Sequence, residues 1–183
     1  MKSIVKKFSK KISSKIVHRN HWFTISENKI TRPDGSRGKY FILHKEPGVN
    51  IIPFDGRNVY LINQYRLTLK KRSWEFPAGK SENHNYLFQA KKELREETGL
   101  RAGKWKYLGE FACGPGITSH MGKVYLAEKL KQGDPEREPG EIGMIVKKFS
   151  IPVIDRMIDS GKIIDSWTIT SWHFFKQYLR RRK

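Results

Sequence analysis

At 183 residues, with 37% hydrophobic and 12% aromatic side chains, the chain is long enough for one domain with a full core. Cys113 is its single cysteine, which excludes an intrachain disulfide and suits a cytoplasmic location, and no apolar run reaches the length of a transmembrane helix. Lys and Arg number 37 against 18 Asp and Glu, a formal net charge of +19; such a surface attracts nucleic acid, anionic lipid and nucleotides, yet no RNA- or DNA-binding motif stands beside it, and a solvated lysine-rich surface also accounts for it.

Residues 1–20 form a basic arm ahead of a domain at 21–183. The arm carries Lys2, Lys6, Lys7, Lys10, Lys11, Lys15 and Arg19, with no acid before Glu27. Ile4, Phe8, Ile12 and Ile16 recur at every fourth position, a spacing that predicts one apolar face of a short helix. Such a start suits a membrane surface or a targeting peptide, but it lacks the arginine bias of a transit peptide and is expected to be an ordinary basic arm. Residues 21–31 predict a strand, RPDGSRG at 32–38 a turn, and 39–45 the next strand. VNIIPF (49–54) and NVYLINQYR (58–66) flank Asp55-Gly56, which predicts a hairpin. SWEF (73–76) is a short strand before Pro77. Residues 85–98 predict a helix with Leu87, Ala90 and Leu94 as its buried stripe and Gly99 as its stop. Strands follow at 104–113, 123–130 and 142–149, with a loop at 131–140, then helices at about 150–159 and 165–180. Many strands around one helix, with helices at the end, predict an α+β fold or a mixed-sheet sandwich.

Chemistry concentrates at 77–100. Glu93, Glu96 and Glu97 fall within roughly 100° of one another on the predicted helix. Three carboxylates on one face repel unless cations offset them, and hard oxygen ligands favour Mg²⁺ or Mn²⁺. An isolated KELREE would be a solvated acidic face partly paired with Lys92 and Arg95. Its flanks argue otherwise: Pro77-Ala78-Gly79 precedes it, Thr98-Gly99-Leu100 closes it, and Gly79 lets backbone approach a diphosphate closely.

The segment resembles the Nudix box, G-x5-E-x7-R-E-U-x-E-E-x-G-U with U aliphatic, through Gly79, Glu93, Leu94, Glu96, Glu97, Gly99 and Leu100. VYLINQYR, WEFPAGK, PGITSHMGKVYLAEKL and FSIPVIDRMIDSGKIIDSWTITSW resemble the ADP-ribose pyrophosphatase branch, so the similarity spans roughly residues 20–180. The resemblance implies the Nudix fold, a mixed β-sheet between α-helices. It implies hydrolysis of ADP-ribose or a related nucleoside diphosphate sugar to a nucleoside monophosphate and a sugar phosphate, with Mg²⁺ or Mn²⁺ as cofactor. By position, Glu93 and Glu97 would be the main cation ligands, Glu96 a further ligand or water contact, and the Ala78 carbonyl part of the shell. Arg66 would contact phosphate, and reads equally as a strand-end surface charge. A homodimer is implied by analogy.

Several positions depart from the pattern. The stretch from Gly79 to Glu93 is one residue short, so the first glutamate of the box falls on His84, with Glu82 the nearest acid. Lys92 replaces the arginine of the box, keeping its charge and losing its fork. His120 stands where the branch usually has a glutamate. In the late loop, Glu136, Glu138 and Glu141 are the acids, and Glu141 is the candidate for binding metal or activating water, or else a solvated loop acid. These departures keep two alternatives open: a catalytically weakened Nudix module that binds nucleotide or RNA, and an RNA-end pyrophosphohydrolase.

Overall fold

A computed structural model describes residues 8–81, 84–136 and 143–182. The chain divides into two compact units, one up to Glu46 joined by Ala112–His120, the other Pro47–Phe111 with Met121 onward.

The first unit is an antiparallel sheet of β1 (Lys10–Arg19), β2 (Thr24–Thr31) and β3 (Arg37–His44) in the order β1-β2-β3. From Lys10 to Arg19 the arm is therefore a strand and not the helix its spacing predicts. Ile12 and Ile16 are four apart, and a period of two satisfies that spacing as well as a helical turn does. Cross-strand pairing decides between them, with Lys15 opposite Glu27 in β2. Ile4 lies outside the described residues. The turn at 32–36 forms as expected, with Gly35 at φ +89° and the Asp34 side chain accepting from the Ser36 N–H at 2.9 Å. The loop at 112–120 joins this unit through Leu43, whose N–H donates to the Ile117 carbonyl at 2.9 Å.

Among the described residues, the second unit holds two sheets and three α-helices. β4 (Gly48–Pro53), β7 (Ala78–Lys80), β8 (Arg101–Ala112) and β9 (Met121–Lys131) form one sheet, ordered β7-β4-β9-β8. It is mixed, because β4 runs antiparallel to β7 and parallel to β9. β5 (Asn58–Arg66), β6 (Lys71–Glu75) and β10 (Ile145–Ser150) form the other, ordered β10-β5-β6 and antiparallel throughout. The helices are α1 (Tyr86–Thr98), α2 (Ile151–Asp159) and α3 (Ser166–Arg180). Among the described residues no helix is long and apolar enough to cross a membrane.

Asp55-Gly56 does turn the chain. Gly56 has φ +100°, and Asp55 accepts from the N–H groups of Arg57 and Asn58. The expected hairpin is absent, however: β4 and β5 enter different sheets and share only the bridge Phe54–Val59. β4 is buried at every position, Asn50 included, which fits a strand with a parallel neighbour. Its Val49 and Ile51 pack in a cluster with Ala90, Leu94 and Leu100, while Ile52 packs with Leu61, Phe76, Leu126, Ile154, Trp172 and Phe175. The sheet thus lies between α1 on one side and α2 with α3 on the other.

On α1 the stripe needs one correction. Ala90 and Leu94 are buried, but Leu87 is exposed, and Tyr86 packs against the cluster in its place. The helix opens on Asn85, whose side chain accepts from the Phe88 N–H, and closes on Gly99 at φ +74°, as its sequence predicts.

Candidate active site

PAGK adds an edge strand, β7, to the sheet. The Ile51 N–H donates to the Pro77 carbonyl at 2.9 Å and the Ser81 N–H to the Pro47 carbonyl at 3.0 Å. In an antiparallel ladder the bonded pairs alternate, so Gly79 turns its amide toward β4, and Ala78, opposite Asn50, turns its N–H and carbonyl away. The Ala78 N–H donates to Oε2 of Glu97 at 2.9 Å. Its carbonyl therefore points out on the side where Glu97 lies. Opposite it, Asn50 is fully buried, with neither amide atom hydrogen-bonded among the described residues.

Helix geometry explains why Glu97 is the buried acid. It projects roughly 20° from Ala90 around α1, at the margin of the apolar stripe. Only 3% of Glu97 is exposed. A buried carboxylate requires donors, and the β7 backbone supplies one. Glu93 lies against Gly79. A Cβ at residue 79 would stand 1.8 Å from Oε1 of Glu93, so only glycine leaves room for that carboxylate. Gln89, one turn earlier, donates to the same oxygen at 2.7 Å. Glu96 turns to the other side, with Lys92 at 3.4 Å and Arg95 at 3.9 Å.

The structure thus brings Ala78, Gly79, Glu93 and Glu97 together and turns Glu96 toward basic neighbours. Among the described residues no three His, Cys, Asp or Glu side chains converge on one ion position. The donor set still fits a hard divalent cation. Mg²⁺ keeps several waters and needs only one or two carboxylates, and here two carboxylates flank a strand with an outward carbonyl.

Arg66 ends β5 with its fork on Glu75: Nε lies 3.0 Å from Oε1 and 3.1 Å from Oε2, and Nη2 also bonds Oε2. Gln64 adds a bond to Glu75 at 3.3 Å. The hydrogen bonds that Arg66 donates to Glu75 push its guanidinium above the ordinary value, burial opposes, and the charges of Glu75, Asp165 and Glu97 add to the rise. Asp165, the N-cap of α3, is pushed up by burial, with the Glu75 charge adding and its bonds to Thr168 opposing. Glu75 and Asp165 escaped the sequence reading. Glu75 had left a signal, since in SWEF an acid alternates with Trp74 and Phe76 and must face away from their core side. Asp165 was legible as a helix cap, but not as a neighbour of Arg66.

Other expected residues lie apart. His84, in the shortened loop, adopts φ +54°, and its Nδ1 lies 2.9 Å from the Tyr86 hydroxyl. His120 belongs to the first unit, where burial and the Lys45 charge hold its imidazole down at about 4, neutral at pH 7. Glu136 faces Arg95 at 3.2 Å. Glu82, Glu138 and Glu141 lie outside the described residues.

Comparisons with known proteins agree with this architecture. A model of the NUDIX domain matches residues 44–158, and one of the nucleoside diphosphate sugar hydrolase N-terminal domain matches residues 10–43. The chain is 31% identical over 162 residues to an ADP-ribose pyrophosphatase of Mycobacterium tuberculosis (strain ATCC 25618 / H37Rv), covering 86% of this chain and 78% of that protein. It is 27% identical over 157 residues to an ADP-ribose pyrophosphatase of Bacillus subtilis (strain 168), covering 84% and 83%. A methanol dehydrogenase activator of Bacillus methanolicus is 31% identical over 105 residues, covering 56% of this chain and 57% of that one. The crystal structure of an ADP compounds hydrolase shares the fold, with a TM-score of 0.85, 16% identity and 96% of each chain covered.

Proposed function

We propose, from the premise that this chain belongs to the Nudix family and is a Nudix pyrophosphohydrolase, that it hydrolyses ADP-ribose or a related nucleoside diphosphate sugar with Mg²⁺ or Mn²⁺. The observation that carries the reading is the β7–α1 junction, where one edge strand orients Glu97 through the Ala78 N–H and leaves at Gly79 the space that Glu93 fills. Water adds at one phosphorus, the bridging P–O bond breaks, and the products are a nucleoside monophosphate and a sugar phosphate.

Glu93, Glu97 and the Ala78 carbonyl would hold the cation, with Glu96 at the margin. When bound, the cation neutralises diphosphate charge and acidifies a coordinated water. The protein's own part is to fix the donors before substrate arrives. The Ala78 N–H holds the Glu97 carboxylate, Gln89 holds that of Glu93, and Glu75 anchors the Arg66 fork. Nε and Nη2 of Arg66 face Glu75, which leaves Nη1 to meet a phosphate oxygen. Glu141 takes the role of base toward the attacking water.

The test is a panel of ADP-ribose and other nucleoside diphosphate sugars with Mg²⁺ and Mn²⁺, reading monophosphate release for the native protein, Glu97→Gln and Glu141→Gln. Release from ADP-ribose, lost in Glu97→Gln, is expected. No release from any panel member under either metal would overturn the reading. That outcome would favour a module that binds nucleotide without turnover, a rival supported by the attachment of Glu96 to Lys92 and Arg95.

The same reading includes a homodimer. β1 is exposed along all ten residues at the edge of its sheet, with Ile12 at 56% and Ile16 at 51% exposure. An uncovered edge strand with apolar side chains needs a partner surface. Light scattering should give twice the 21.5 kDa chain mass.

A further inference from the structure

We propose that the cleft between β8 and the C-terminal end of α3 is a binding site for single-stranded nucleic acid, separate from the hydrolytic site. The cleft measures about 600 Å³, with Lys106 and Tyr107 on one wall and His173, Phe174 and Arg181 on the other. That size lies in the range of specific ligand sites. No acidic side chain lines it among the described residues.

The bland alternative is a helix end dressed with basic residues, which the negative end of the helix dipole favours by itself. Two observations exceed it. First, the cations come from two elements and are braced by one ring. Lys106 Nζ lies 4.9 Å from the centroid of Tyr178, and the Arg182 guanidinium 5.3 Å from the same ring. Cation–ring contacts hold flexible side chains in place and reduce the entropy lost when they meet a ligand. Second, an aromatic ring is seated beside them by a glycine. A Cβ at Gly109 would stand 2.5 Å from Phe174, so the missing side chain on β8 is what lets that ring lie against the strand. Phe174 is half-buried, and its neighbour His173 is exposed.

Cations held beside the half-buried rings of Phe174 and Tyr178, which also pack against the core, match a ligand that alternates phosphates with planar bases, as a single strand does. The net charge of +19 draws such a polyanion in, and the cleft gives it a place to stop. The two sites do not coincide. β7, which carries Ala78 and Gly79, and β8 are opposite edges of the sheet β7-β4-β9-β8, three strand spacings or about 14 Å apart. Arg182 also reaches Glu128 at 3.2 Å, so Lys106 and Arg181, both exposed, are the residues to change.

The experiment measures fluorescence polarisation of a short labelled oligouridylate between about 50 and about 200 mM salt. The native chain is compared with Lys106→Glu/Arg181→Glu and with Lys29→Glu/Arg57→Glu. The latter pair changes net charge equally at exposed positions outside the cleft, and melting midpoints verify that all three are folded. The cleft variant should bind about tenfold or more weakly and lower the salt slope by about two, while the control stays close to native. The proposal is overturned if the native chain does not bind the probe, if the cleft variant binds like the native chain, or if both variants weaken equally. Displacement of the probe by uridine monophosphate at equal nucleotide concentration also overturns it, reassigning the cleft to a free nucleotide.

Discussion

The two margins of the acidic face of α1 treat chemically identical carboxylates in opposite ways. Toward β7, Glu97 is 3% exposed and fixed by a backbone N–H, and Glu93 fills the space that Gly79 leaves. One position away from Glu97, Glu96 is 14% exposed and meets Lys92 and Arg95. Long cationic side chains hold a partner weakly and compete with water. A backbone amide in a sheet edge cannot swing away. On the proposed function, the difference would separate carboxylates positioned for a cation from one that mainly pairs with neighbouring bases, and it ranks the substitutions that would break the comparison.

Glu97→Gln should have the largest effect, a loss of kcat on the order of 10³-fold. Its melting midpoint should stay near native, because the glutamine oxygen still accepts from Ala78. A large drop in stability with activity retained would make Glu97 structural. Gly79→Ala comes next. The new methyl must displace the Glu93 carboxylate, so kcat should fall about 10²-fold, the scale of a misplacement near 1 Å. Activity within a fewfold of native would show that the position of Glu93 is not set by Gly79. Arg66→Ala strips the fork from Glu75, whose side chain is only 6% exposed. Stability should drop by about 1–3 kcal/mol, and kcat/KM about tenfold. Adding Glu75→Gln should restore part of the stability and none of the activity, measured by chemical denaturation beside turnover; recovery of both would confine Arg66 to a structural role. Glu96→Gln should be the mildest, with activity within about threefold and stability within about 0.5 kcal/mol. A loss comparable to that of Glu97→Gln would erase the distinction between the two sides.

Local sequence determined a good deal of this. Asn85, the run to Thr98 and Gly99 specify α1 by themselves, because caps and a glycine stop act within one turn. The spacing of Glu93, Glu96 and Glu97 puts them on one side of any helix there, and the turn at Asp55-Gly56 follows from its residues. What the turn joins did not follow. A hairpin and a crossing between two sheets begin with the same dipeptide, and only the packing of β4 between β7 and β9 separates them. The arm shows the same limit, since a spacing of four fits a helix face or a strand face until β2 supplies the partner. Within the site, sequence named Ala78, Gly79 and the three glutamates, and tertiary structure set their surroundings. Which acid is buried, which faces lysine, and that Glu75 holds Arg66 depend on strands distant in sequence, and a carboxylate takes its character from the donors that reach it.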